Sequence, residues 1–481
     1  MSAEPSPHPP SVERVLAAAR PRLGERDHDA VVATARAVVA EERERLTGGT
    51  RPATVEVLAD AVVVRLEGLR APGLVPVVNA TGVILHTNLG RSPWPAAAIS
   101  AAAAAAQGTS LLEMDRETGQ RGTRFRAAEE HLIALTGAED ALITNNNAAA
   151  VALALAAATS AVAGVARQAT GARRNKGIAV ARGELLEIGG GVRIPDIIRR
   201  AGLRLVEVGT TNRTRIADYS EALESGAARA ILRVHSSNFR MEGFVEDADP
   251  AELAATAHDL GAIVVDDLGS GALLDTAAFG LAHEPTPMER LASGADLVCF
   301  SGDKLVGGPQ AGLVVGRSDL IARIRKDPLA RAMRPDKVTL AGIAATLGLY
   351  RAGLATIEIP VWRVIALPEE VLRSRAETLA GKLARLGHTP IVVPLEATVG
   401  GGSLPGETLP SWGLALPGPR AQETLRRLRV GSPAIIGRID DDAVILDLRT
   451  VEPTWDEAMP GAITRALGGQ AGQPGPYQEP A

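Results

Sequence analysis

The sequence predicts an α/β protein: a large domain built on a mostly parallel sheet, a helical domain before it and a smaller α+β domain after it. Three observations predict this. From Pro76 onward the short apolar runs ALIT, GIAVA, LRLVEV, AILRV, AIVVDD, LVCFS and AGLVVG alternate with Ala-rich helical stretches, the pattern of a sheet covered on both faces. Between Ser11 and about residue 70 the texture is different, with apolar residues recurring at three- and four-residue spacing, which predicts amphipathic helices. At 481 residues the chain also exceeds what one hydrophobic core holds.

Taken in order, residues 1–10 and 468–481 are Pro/Gly-rich and are expected to be disordered. Residues 11–75 form the helical domain, in which the EERER run reads as a solvated helix face. Residues 76–338 form the large domain, with the Ala/Gly/Arg-rich stretch 157–176 as a long connection inside it. The smaller domain spans 339–467, opening on the helix LAGIAATLGLYRAG and continuing into the strand-rich IVVPLEATVGGGSLPG, GLALPG and AIIGRIDDDAVILDL.

Composition excludes several classes. A net charge of −5 exerts no general pull on nucleic acid, so a polynucleotide partner needs a local basic patch. The single cysteine, Cys299, rules out an intrachain disulfide and a cysteine-based metal cluster, and no metal site is expected. The N-terminal MSAEPSPHPPS has no charged and apolar leader pattern, and no apolar run approaches a membrane span, so a cytoplasmic protein is expected.

Chemistry concentrates in residues 297–316, LVCFSGDKLVGGPQAGLVVG, where a buried strand delivers Ser-Gly-Asp-Lys to a Gly-Gly-Pro turn. Burial and nearby positive charge lower a lysine's pKa and free its amine to attack a carbonyl, so Lys304 is the candidate imine-forming residue. Upstream, the strand AIVVDD ends in Asp266 and Asp267. Ligands gather beyond the carboxyl ends of strands in an open α/β sheet, so one of these carboxylates can meet Lys304 in a crevice. Asp267, which begins the DLGSG turn, is preferred, with Asp266 as the alternative. In ALITNNNAAAVALALAAA a strand, a polar loop and a helix start follow one another. Asn145, Asn146 and Asn147 would line a phosphate cup there, although asparagine is equally an ordinary N-cap. Ser301 offers a further phosphate contact. After AILRV, Asn238 is placed to bond a cofactor's 3-oxygen, and His235 either stacks on the ring or is a structural histidine. A phosphate cup, an Asn, an Asp and a Lys in this chain order describe a fold-type I pyridoxal-phosphate enzyme, in which the carboxylate keeps the pyridinium nitrogen protonated.

The same segments carry a resemblance. VNATGVILHTNLGRSP (78–93), RGTRFR (121–126), EIGGGVRIPDI (187–197), VGTTNRT (208–214), HSSNFRMEGF (235–244), DLGSGAL (267–273), FSGDKLVGGPQAG (300–312) and RAMRPDKVTLA (331–341) resemble the bacterial selenocysteine synthase family, the L-seryl-tRNA(Sec) selenium transferases. With the helical N-terminal region and GSPAIIGRI, the resemblance spans nearly the whole chain.

It implies the fold-type I architecture, pyridoxal 5'-phosphate on Lys304, and conversion of seryl-tRNA(Sec) to selenocysteinyl-tRNA(Sec) through an aminoacrylyl intermediate. It implies selenophosphate as the donor, held by Arg91, Arg331 and Arg334, with Arg124 the least certain match. Guanidinium forks suit phosphate oxygens. Asp303, beside the lysine, would assist proton transfer or orient an arginine. The resemblance further implies a homo-oligomer, a ring of dimers with sites at subunit interfaces, and a tRNA-binding N-terminal domain in which Arg20, Arg22 and Arg26 are candidate contacts. Its alternatives are a lyase or ammonia-lyase of the same fold acting on a small amino acid or sugar acid, and a non-catalytic tRNA-binding assembly protein.

Overall fold

The computed structural model describes residues 8–69, 73–121, 124–163, 176–188, 190–237 and 239–468. Both expected disordered tails, most of the 157–176 connection, and Asn238 therefore lie largely or wholly outside the described residues. The chain divides into two compact units, Met1–Pro76 and Val77–Ala481.

In the first unit three helices, α1 (Val12–Ala19), α2 (His28–Thr47) and α3 (Val55–Gly68), begin at Ser11, Asp27 and Thr54. Each of those side chains accepts a backbone N–H from the first helical turn, satisfying a donor the helix itself cannot. Val15, Ala19, Val31, Ala35, Leu58 and Val62 form the core between them. Arg22 pairs with Asp60 and Arg26 with Glu67, while Arg20 contacts the His28 ring.

The second unit is organised by seven strands: β1 (Asp140–Thr144), β2 (Gly177–Ala181), β3 (Arg204–Val208), β4 (Ala230–Val234), β5 (Ile263–Gly269), β6 (Leu297–Ser301) and β7 (Gly312–Gly316). Each coincides with one of the runs singled out in the sequence. Their order across the sheet is β1-β7-β6-β5-β4-β2-β3. β7 is antiparallel to both neighbours and the other pairs are parallel, so the carboxyl ends of β2 to β6 open on one edge.

Alternation of side chains places the strand residues on two buried faces. On one, Ile178, Leu232, Val265 and Cys299 pack under Ala150, Val151 and Ala154 of α6 (Asn147–Ala163), which follows α4 (Ala96–Gln107) and α5 (Ala127–Thr136). On the other, Ile143, Phe300 and Leu313 pack against Leu132 of α5 and Leu340, Ile343 and Leu347 of the helix Lys337–Arg351. That helix, where the smaller domain opens by pattern, thus shares a core with the sheet. Ala157–Ala163, at the start of the expected long connection, is the end of α6.

Further on, β8 (Ile391–Gly400), β9 (Ser403–Pro417), β10 (Arg438–Asp440) and β11 (Ala443–Asp447) form an antiparallel sheet in the order β8-β9-β11-β10. The helices Glu369–Arg385 and Met459–Leu467 cover it. Ile84 and Leu85 donate their backbone N–H groups to Thr398 and Val399 of β8, which ties the NATGVILHTNLGR segment to the β8–β9 turn. Among the described residues no helix is long and apolar enough to cross a membrane.

Candidate active site

Lys304 lies in the tight turn between β6 and β7 and is 6% exposed. Its Nζ reaches the Gly402 carbonyl at 3.4 Å, so the β8–β9 turn closes over it. Burial, and after it the positive charge of Arg91, push the amine's pKa below the ordinary lysine value; Asp267, Asp303 and Glu284 pull the other way. Gly269, at φ +65°, passes close beside it: a Cβ there would sit 3.8 Å from Lys304 Nζ and 3.5 Å from Ser237 Oγ. Glycine supplies the backbone conformation, while the distances themselves are ordinary van der Waals contacts.

The carboxylate pair at the end of β5 is split between the two faces of the sheet. Asp267 accepts from Asn147 Nδ2 at 2.8 Å and from the Gly269 N–H at 3.1 Å, and the field of Lys304 acts on it. Burial raises its pKa to about 6 despite those partners. Asp266 faces Arg290, at 3.6 Å, and the field of Arg233. It lines a polar cavity of about 200 Å³ with Glu184, Arg233, His235 and Arg290.

At the start of α6 the three asparagines do three different things. Asn145 is exposed and donates its backbone N–H to Met333. The Asn146 side chain accepts from the Ala149 N–H at 2.9 Å, the capping geometry. Asn147 holds Asp267, and its own Oδ1 is buried without a hydrogen bond. The loop lies directly on β7, where a Cβ on Gly312 would come within 2.1 Å of the Asn146 carbonyl oxygen. Ser301, the last residue of β6, is buried beside this end of the sheet.

Arg91 holds Asp303 through Nη1 to Oδ2 at 2.9 Å, and the Asp303 carbonyl accepts the Ser92 N–H. Arg91 has a φ of +64°, an uncommon conformation for a residue with a Cβ. Arg124, Arg331 and Arg334 stand elsewhere. They border a cavity of about 330 Å³ that has neither Lys304 nor Arg91 in its wall. Arg124 and Arg334 both contact Glu113, at 2.8 and 3.1 Å, and hold its carboxyl below the usual range. The four arginines therefore do not form one cluster within a single chain.

His235 is half-buried, and its backbone N–H donates to the Asp267 carbonyl at 2.9 Å. Burial and the cations Arg290, Arg233 and Lys304 hold its imidazole neutral, down to a pKa of about 4. Its Nδ1 faces a residue that no motif announced: Glu284, 2% exposed, with Oε1 at 3.5 Å. Glu284 sits in the irregular segment LAHEPTP. The only sequence signal it offers is a carboxylate inside an apolar, proline-bounded stretch.

These residues fit pyridoxal phosphate. A buried amine with a depressed pKa, a buried carboxylate already steered by an amide, and a helix start are the donor set that the aldehyde, the ring nitrogen and the phosphate require. The unpartnered buried Asn147 Oδ1 marks a polar group with unmet bonding capacity there. Among the described residues no group of His, Cys, Asp and Glu is arranged to hold a metal ion.

A family model described as SelA, L-seryl-tRNA selenium transferase, matches residues 77–452. The L-seryl-tRNA(Sec) selenium transferase of Rhizobium meliloti (strain 1021) is 44% identical over 93% of this chain and 95% of its own length. That of Hyphomonas neptunium is 40% identical over 95% and 97%. Among solved structures, D-glucosaminate-6-phosphate ammonia-lyase superposes with a TM-score of 0.57 at 23% identity, covering 85% of this chain and 99% of that one. That likeness establishes the shared fold. The matches over nearly full length, on a site of this composition, establish the rest: the chain belongs to the L-seryl-tRNA selenium transferase family and is a pyridoxal-phosphate-dependent enzyme.

Proposed function

We propose that this chain converts L-seryl-tRNA(Sec) to L-selenocysteinyl-tRNA(Sec) with selenophosphate as the selenium donor. The observation that supports it most is the buried Lys304 standing between the Asp267 carboxylate and the Arg91–Asp303 pair. When bound, pyridoxal phosphate supplies an electron sink conjugated to the serine Cα. Lys304 would hold it at the aldehyde carbon, Asp267 at the ring nitrogen, and the start of α6 with Ser301 at the phosphate; Asn238 would be the partner of its 3-oxygen.

Lys304, kept toward its neutral form by burial and by Arg91, takes the proton from the serine Cα. Hydroxide leaves Cβ as water with the proton that Lys304 took from Cα; the selenium of selenophosphate adds to the same carbon, and the proton it brings returns to Cα through Lys304. The Se–P bond then breaks to water and phosphate is released. Seryl-tRNA is an ester and brings no free carboxylate, so the Arg91 guanidinium remains available for the donor's phosphate oxygens. Asp303 orients it through the 2.9 Å contact, which favours the orienting role over proton transfer. Arg124, Arg331 and Arg334 are proposed to serve the donor in a homo-oligomer, a ring of dimers, where the cavity they border meets a neighbouring subunit's site. The N-terminal helical domain is the proposed tRNA contact. Arg22 and Arg26 already pair with Asp60 and Glu67, which supports recognition by shape over a free basic patch. A tRNA-borne substrate supports a cytoplasmic enzyme.

The test is turnover of seryl-tRNA(Sec) and selenophosphate by the cofactor-loaded protein, with borohydride trapping and peptide mapping alongside. Selenocysteinyl-tRNA and a label on Lys304 are expected. A labelled protein that makes none, and instead releases ammonia from a small amino or sugar acid, would be a lyase.

A further inference from the structure

Three buried polar groups come together near Lys304: His235 Nδ1 and Glu284 Oε1, neither with a geometrically good hydrogen bond among the described residues, and the Ser270 hydroxyl beside the Glu284 carboxyl. They come from three separate elements, the loop after β4, the segment before the helix Pro287–Ala292, and the turn after β5. Glu284 is not there by default. Its backbone N–H is pinned by the fully buried Thr276 Oγ1 at 2.8 Å, and its carboxyl is 3.5 Å from the imidazole. Burying a carboxylate without full pairing is costly.

Resting on the function proposed above, we propose that Glu284 is a positioning residue of the site: its carboxyl faces Nδ1 of the His235 imidazole and, with Ser270, sets the acidic side of the surroundings that Lys304 faces. The other charged groups around Lys304 are Arg91, Asp267 and Asp303. Around Glu284 they are Lys304, His283 and Arg290, and around His235 they are Arg290, Arg233 and Lys304. Burial raises the Glu284 pKa; the Ser270 hydroxyl, and after it Lys304, offset this. The carboxylate in turn favours the ammonium form of Lys304. Removing that negative charge leaves the neutral amine stable to lower pH.

Glu284→Gln keeps the shape and removes the charge. In the cofactor-loaded enzyme, its acid limb of the pH–rate profile and the pH titration of cofactor absorbance are both expected to move down by roughly 0.5 to 1 unit. Glu284→Asp should restore the wild-type titration at least in part. In a His235→Asn background the shift caused by Glu284→Gln should shrink. Superimposable absorbance titrations of wild type and Glu284→Gln would overturn the proposal and leave Glu284 a core residue, as would a shift of full size without His235. A wild-type protein lacking turnover would sink the proposed function, while the absorbance titration would still decide the role of Glu284.

Discussion

The two faces of β5 make the instructive comparison. Asp266 and Asp267 are consecutive, equally buried and equally acidic in composition, yet one meets an amide and a lysine and the other meets arginines. Side chains alternate along a strand, so a pair of carboxylates at a strand end is two sites. On the Asp267 face the counter-charge is incomplete, and the carboxyl titrates near 6, which leaves it wanting a cation. On the Asp266 face burial raises the carboxyl's pKa as well, but the cations that offset it, Arg290 and Arg233, belong to the fold itself. A carboxylate whose offsetting cation is the reactive lysine belongs to the ligand site, whereas one offset by arginines of the fold helps hold the chain together.

The largest expected break in this comparison is in catalysis. Asp267→Asn should lower kcat by about 100-fold or more, through loss of the charge that steadies a protonated ring, while Asp266→Asn should stay within about 10-fold. Steady-state turnover of both variants checks this, and similar losses in both would erase the distinction between the faces. In equilibrium unfolding the order reverses. Asp266→Asn leaves Arg290 buried without its carboxylate and should cost about 2 to 4 kcal/mol.

The cofactor-free protein sharpens the contrast through pH. The Asp267 pKa is raised from 3.8 to about 6, so between those values the folded chain holds a proton that the unfolded chain has released. Stability from this group is therefore present at low pH and lost as pH rises through about 6. His235, lowered from 6.5 to about 4, acts in the opposite sense but equally in both proteins. Relative to wild type, cofactor-free Asp267→Asn should gain about 1 to 3 kcal/mol between pH 4 and pH 7. Melting curves across that range test it, and a difference independent of pH would contradict it. Smallest is Asn147→Ala, which removes one amide bond to Asp267. It should weaken cofactor binding by about 5- to 10-fold, the worth of one ordinary hydrogen bond.

Much of this molecule was legible before any coordinates. The seven sheet strands stand out because β-branched runs bounded by glycine and polar turns encode strands locally. Lys304 and the Asp266–Asp267 pair stand out because catalytic groups in α/β folds cluster at strand ends. Less legible were the individual roles inside a motif. Asn145, Asn146 and Asn147 are chemically identical in sequence, and only the helix they start distinguishes the cap from the residue that holds Asp267. Glu284 escaped entirely, because its partners come from segments with no common period.

By itself, then, the chain's order of residues determined the fold class, the strand ends that bear chemistry and the family to which the motifs point, since each rests on local pattern. Only the tertiary structure decided that Asp267 and not Asp266 faces Lys304, that Asp303 grips Arg91 from 212 residues away, that Arg124, Arg331 and Arg334 stand around another cavity, and that the Gly402 carbonyl closes over the lysine. Such pairings follow from which faces of distant elements pack together, and no short-range spacing records that.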